Sequence, residues 1–172
     1  MNYLNDNKYI ESTKTWLESR YKATDENGVY IAHQPIYGFK KLPCEKGVIN
    51  RYIITNQILT ILKKLDFSNI LDVGGSEGYK SALIRKLFNV RVHSSDLSIE
   101  ACNRAREIFN IPSSSHDICN LSFEDESFDI VICSETLEHV PNIKTATDEL
   151  LRVAKKCVLQ YHKNLKRLLL KT

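Results

Sequence analysis

The sequence predicts an α/β protein built on a doubly wound, mostly parallel sheet of about five strands. Three observations carry that reading. Short apolar runs alternate with longer segments of helical spacing, and parallel neighbours need such crossovers. The run Phe128-Asp129-Ile130-Val131-Ile132-Cys133 is nearly continuous in apolar residues, as expected of a parallel strand covered on both faces. The stretch Asn69-Ile70-Leu71-Asp72-Val73-Gly74-Gly75-Ser76-Glu77-Gly78-Tyr79 carries an apolar run into a glycine-rich bend. With Leu83, Ile84, Leu87 and Phe88 at helical spacing behind it, this reads as strand, tight turn and helix.

A chain of 172 residues fits one domain with a sizeable core. We divide it into an N-terminal extension over 1–47 and a ligand-binding domain over 48–172. The formal charge of +3 is small for this length, and the basic residues form no dominant stripe, so neither nucleic acid nor an acidic polymer is expected as a partner. The five cysteines make an odd count without C-x-x-C spacing. They read as free thiols in a reducing compartment, with no metal site. Met1 to Ile10 is polar and lacks the apolar core of a secretion signal, and no window reaches membrane-spanning length. The expected location is the cytoplasm.

Along the extension, Thr13 to Tyr21 is expected as a short helix, followed by a turn at Asp25-Glu26-Asn27-Gly28. Trp16, Tyr30, His33 and Tyr37 either line an acceptor site or pack the extension onto the core. Residues 48–66 form a helix with Ile54, Ile58, Ile61, Leu62 and Leu65 as its apolar stripe. The second strand, Val90 to Asp96, ends on an acid about twenty residues past the glycines, where dinucleotide folds place a carboxylate on ribose hydroxyls. The glycines themselves, Gly74, Gly75 and Gly78, match G-x-G-x-x-G poorly. A helix capped by Ser98 follows, with Ile99, Cys102, Ala105 and Ile108 inward, and Pro112 stops it. Ser113 to Ser115 feeds a short third strand, and Glu124-Asp125-Glu126 reads as a solvated turn. Pro141-Asn142 opens a helix with Ile143, Ala146, Leu150 and Val153 inward, and Cys157 to Tyr161 is the fifth strand. Gly74, Asp96, Asp117 and Ser134 fall at predicted strand C-termini, so all four converge on one crevice.

These motifs, in this order, resemble the class I S-adenosylmethionine-dependent methyltransferases, especially their small-molecule branch. Leu71-Asp72-Val73-Gly74-Gly75-Ser76-Glu77-Gly78 resembles that family's acid-G-x-G-x-G motif, with Ser76 in place of the middle glycine. Ser115-His116-Asp117-Ile118, the strand ending Ser134-Glu135-Thr136-Leu137-Glu138-His139-Val140, and Glu149-Leu150-Leu151-Arg152-Val153 resemble later segments, so the likeness covers roughly 50–161. The resemblance implies a Rossmann-like methyltransferase fold with S-adenosylmethionine as cofactor. Gly74, Gly75 and Gly78 would pass close to its methionine part, with Ser134 at the same crevice. Asp96 would hold the ribose hydroxyls, Leu97 would lie on the adenine, and Asp117 with Ile118 would read the adenine amino group. Asp72 would face the cofactor's cationic end or anchor the turn.

Glu135 and His139 follow the fourth strand and are candidates for a general base, needed only when the acceptor must lose a proton early. In the resembling family the Glu138-His139 dipeptide mostly braces the loop. The family's last two strands are expected to be lacking here. Leu165, Leu168, Leu169 and Leu170 among Lys163, Lys166, Arg167 and Lys171 suggest a short basic amphipathic helix instead. The fifth strand would then be an exposed edge, covered by the tail, by a homodimer partner through that edge or the tail, or by further chain if the sequence is part of a longer protein. Attachment of the tail to a membrane is the weaker expectation. The function expected is methyl transfer to a small-molecule acceptor. Its alternative is a cofactor-binding pseudoenzyme or regulatory subunit, and a nicotinamide-dependent oxidoreductase is disfavoured by the glycine spacing.

Overall fold

The computed structural model describes residues 3–24, 26, 46–162 and 165–170. Helix α1 (Tyr3–Lys22) and helix α2 (Lys46–Leu62) precede strand β1 (Asn69–Val73). Then come α3 (Tyr79–Phe88), β2 (Arg91–Asp96), α4 (Ile99–Phe109), β3 (Ser113–Ser115) and β4 (Phe128–Ser134). A 3-10 turn at Leu137–His139 leads to α5 (Ile143–Val153), β5 (Ala154–His162) and β6 (Leu165–Leu170). The expected helix at 13–21 is thus part of a helix of 20 residues. Tyr30, His33, Tyr37 and Cys44 lie outside the described residues.

The described strands form one sheet in the order β3-β2-β1-β4-β5-β6. All neighbours are parallel except β5 and β6. Because side chains alternate across a strand, β1 and β4 bury one set on each face. Leu71, Val73, Val131 and Cys133 pack with Ala146, Leu150 and Val153 of α5. Ile70, Ile130 and Ile132 pack on the other face with Ile54, Ile58 and Leu62 of α2 and Ile84 of α3. Each such aliphatic side chain contributes roughly 1.5–3 kcal/mol on burial. This is why the sheet needs no alternation of polar residues at its centre.

The tail departs from expectation. It is strand β6, not a helix, and it pairs antiparallel along β5 from His162↔Leu165 to Cys157↔Leu170. A six-residue helix would close few backbone bonds, whereas pairing satisfies the open edge of β5. The fifth strand is therefore covered from within the chain, and the reason for a dimer across its edge disappears. Ile99 and Ile143 were expected inward but are 51% and 54% exposed. Each is the first residue of its helix, where the chain has not yet settled into the buried stripe. Leu87 is likewise exposed at the last turn of α3.

One arginine fixes the crossover between β3 and β4. Arg152 donates to the carbonyls of Leu121 and Phe123, each at 2.8 Å. It also pairs with Glu149 at 2.7 Å and Asp125 at 2.8 Å. Glu149 in turn accepts the Leu121 N–H at 2.9 Å. The acidic loop is exposed, as expected, but it is tied down at Asp125. Cys102, Cys133 and Cys157 are buried free thiols and Cys119 is half-buried. Among the described residues no helix is long and apolar enough to cross a membrane.

Candidate active site

The bend after β1 is built by three glycines doing different work. Gly74 has φ +70, and a Cβ there would lie 2.0 Å from Thr136 Oγ1. A Cβ on Gly75 would lie 2.2 Å from Ser94 Oγ, so that glycine lets the bend sit against β2. Gly78, at φ +81, brings α3 against α4, where a Cβ would meet Ala105 Cβ at 2.8 Å. The N–H groups of Gly74 and Gly75 both donate to the Ser95 carbonyl, at 2.7 and 3.0 Å. Ser76 adopts φ 55, the left-handed conformation that the family's middle glycine would accept at no cost.

That serine holds the site together. Its backbone N–H donates to Asp96 Oδ2 at 2.9 Å, and its hydroxyl donates to Glu77 Oε2 at 2.8 Å. The Tyr21 hydroxyl, brought in by α1, hydrogen-bonds the Ser76 hydroxyl. The other Asp96 oxygen, Oδ1, accepts the Ser98 N–H at 3.0 Å. Burial pushes the Asp96 carboxyl up to about 6, against the pull of these two N–H donors. The negative charges of Glu77 and Asp72 push in the same direction as burial. Ser98 caps α4 by accepting the Ala101 N–H at 3.1 Å. Glu18 of α1 adds a second cap, accepting the N–H groups of Ile99 at 2.6 Å and Glu100 at 3.1 Å.

Beneath the bend lie two buried ion pairs. Asp72 is fully buried; its Oδ1 lies 2.8 Å from Lys80 Nζ and its Oδ2 accepts the Ser81 hydroxyl at 2.8 Å. Lys80 also donates to the Ser134 hydroxyl. Glu77 and Arg104 are both fully buried, 3.5 Å apart, and the Arg104 guanidinium lies under the Tyr21 ring at 5.5 Å.

A cavity of about 610 Å³ opens over the C-terminal ends of β1, β2 and β4. Gly74, Asp96, Leu97, Asp117, Ile118 and Ser134 all line it. So do Glu135 and His139, both exposed at its rim. Asp72, Gly75 and Gly78 do not line it; they support it from behind. Asp117 Oδ1 accepts the Cys119 N–H at 2.9 Å, which fixes the turn after β3. Glu135 sits at φ 55 with its N–H on the Tyr161 carbonyl at 2.9 Å. Trp16 joins Tyr9, Ile10 and Leu17 of α1 in the opposite wall. His116 also lines the cavity, and burial holds its imidazole below the ordinary range.

Sequence reasoning missed Lys80, Tyr21 and the Glu77–Arg104 pair. Lys80 left a signal, because it precedes Leu83 and Ile84 by three and four residues and so falls on their apolar stripe. Tyr21 left none, since its role depends on where α1 docks.

A family model described as "Methyltransferase domain" matches residues 71–157. No curated protein matches the sequence. Among solved structures, a protein of Bacillus halodurans is 25% identical with a TM-score of 0.56, over 62% of this chain and 49% of that one. A protein of Pyrococcus horikoshii is 22% identical with a TM-score of 0.62, over 81% and 66%. The magnesium protoporphyrin IX methyltransferase of Synechocystis, solved with bound S-adenosylmethionine, is 16% identical with a TM-score of 0.66, over 88% and 74%. The last two likenesses are of fold. The chain spans about half the length of several of the structures it matches.

Proposed function

The chain belongs to the methyltransferase domain family, and on that premise we propose that it binds S-adenosylmethionine and transfers the methyl group to a small-molecule acceptor. One observation carries the reading: the Asp96 carboxylate, oriented by two backbone N–H groups, shares a cavity with Gly74, whose left-handed backbone packs directly against Thr136. The donor set fits the group. Each Asp96 oxygen is given one N–H bond and keeps capacity for a ribose hydroxyl. Leu97 offers an apolar surface to the adenine, and Asp117 with Ile118 lies at the same end. Gly74, with Gly75 behind it, lets the backbone approach the methionine part, near Ser134. Bound there, the cofactor supplies a sulfonium methyl electrophile. What the chain adds is mainly position, which can be worth several kcal/mol when donor and acceptor are held in line.

Glu135 and His139 stand at the exposed rim, where either can take a proton from an acceptor that must lose one. The wall formed by Tyr9, Trp16 and Leu17 supports the reading of residues 1–47 as an acceptor-side cap over the domain that starts at 48. The Synechocystis enzyme's bound S-adenosylmethionine, on a shared fold, supports the choice of cofactor. Calorimetry with S-adenosylmethionine and with NAD tests the binding half. The first is expected to bind and the second not, and an absence of S-adenosylmethionine binding would defeat the reading. Labelled-methyl transfer across an acceptor panel tests the other half. Binding without any turnover would favour a non-catalytic cofactor-binding role.

A further inference from the structure

Lys80 is 7% exposed, at the second position of α3, on a stripe otherwise apolar at Leu83 and Ile84. Its ammonium forms an ion pair with Asp72 Oδ1 at 2.8 Å and donates a hydrogen bond to the Ser134 hydroxyl. Lys80, Gly74 and Ser134 line the cavity, whereas Asp72 lies behind them with both oxygens engaged. A ligand entering this end therefore meets a cation backed by a neutralised acid. The pair is neutral as a whole, but the member that lines the cavity is the ammonium, which suits an anionic oxygen. The α3 N-terminus beside it adds in the same sense.

The proposed cofactor has one anionic group, the α-carboxylate of its methionine part, and Asp96 already claims the adenosine end. We infer that Lys80 forms a carboxylate subsite, holding the cofactor's α-carboxylate on Nζ and so fixing which way the amino-acid end lies. This rests on the S-adenosylmethionine reading above and adds a residue to it. The competing account is that Lys80 serves only to neutralise Asp72.

Decarboxylated S-adenosylmethionine separates the two, because it keeps the sulfonium and ammonium and lacks only the carboxylate. By calorimetry the unmodified chain should bind S-adenosylmethionine about tenfold or more tightly than the decarboxylated compound, the size of one charge-assisted hydrogen bond. In D72N/K80M, which removes both charges of this pair together, that preference should vanish. S-adenosylmethionine should weaken about tenfold while the decarboxylated compound changes less than about twofold. D72N alone should keep the preference. Equal affinities in the unmodified chain would overturn the inference without recourse to any variant, as would a preference that survives in D72N/K80M. Failure of S-adenosylmethionine to bind the unmodified chain would instead defeat the cofactor reading itself.

Discussion

Ser76 and Asp96, twenty residues apart, are joined by a hydrogen bond of 2.9 Å from the backbone N–H of the first to the carboxylate of the second. The bend after β1 and the end of β2 are therefore one unit. The carboxylate cannot reorient without disturbing a residue already held in a left-handed conformation. A site arranged in advance in this way loses less entropy when a ligand arrives.

The raised Asp96 carboxyl makes cofactor binding pH-dependent. Hydroxyls donate best to the ionised form, and a group titrating at about 6 is mostly protonated at pH 5. Affinity for S-adenosylmethionine should fall about tenfold between pH 7 and pH 5, and Asp96→Asn should bind more weakly with a flat profile. The folded state holds this proton more tightly than the unfolded chain does. Its contribution to stability is thus present below the ordinary value of 3.8 and lost as pH rises through about 6. Titration calorimetry and thermal melts across that range check both signs.

Gly74→Ala should destabilise the chain by more than the roughly 1–2 kcal/mol that a left-handed conformation costs an L-residue. The added methyl also runs into Thr136. Combining it with Thr136→Ala should recover the steric part and leave the backbone part. A double-mutant cycle on melting temperature reads the coupling, and strict additivity would mean the clash is relieved some other way.

Much of this arrangement was legible in the sequence because it depends on local chemistry. Parallel strands buried on both faces announce themselves as apolar runs, as Phe128–Ser134 does. Ser98 was readable as a cap from its place before an amphipathic segment, and its side chain does accept the Ala101 N–H. The convergence of Gly74, Asp96, Asp117 and Ser134 follows from strand direction alone. What was not legible depends on contacts distant in sequence. Six residues such as Leu165–Leu170 fit a helix or a strand, and only the open edge of β5 decides between them. Glu18 gave no sign of capping α4, because its partners lie 81 and 82 residues away.

Ser76→Gly sets two effects against each other. Glycine relieves the left-handed strain, worth roughly 1–2 kcal/mol. It also removes the hydroxyl that serves Tyr21 and the fully buried Glu77. A buried carboxylate losing a donor costs about 1–3 kcal/mol, and the Tyr21 bond adds about 1 kcal/mol. We expect a net loss of about 1 kcal/mol by chemical denaturation, even though glycine is the residue the motif ordinarily carries here. A gain in stability would mean that the strain outweighs the hydroxyl's bonds.

Arg152→Lys should behave almost as badly as Arg152→Ala. The guanidinium serves two carbonyls and two carboxylates at once, from fixed directions that an ammonium cannot reproduce. Part of the network is open to solvent, so we expect a loss of about 1–3 kcal/mol. Faster hydrogen exchange over 121–127 should accompany it. A lysine variant as stable as the parent would reduce the network to a simple charge effect.

The antiparallel course of β6 sets where an attachment can be made. Its register carries the chain from His162, near the mouth of the cavity, back to Leu170 opposite Cys157. A fluorophore or affinity handle placed at Leu170, which is exposed, would stand toward the end of β5 opposite the cavity, leaving the entrance clear for titrations.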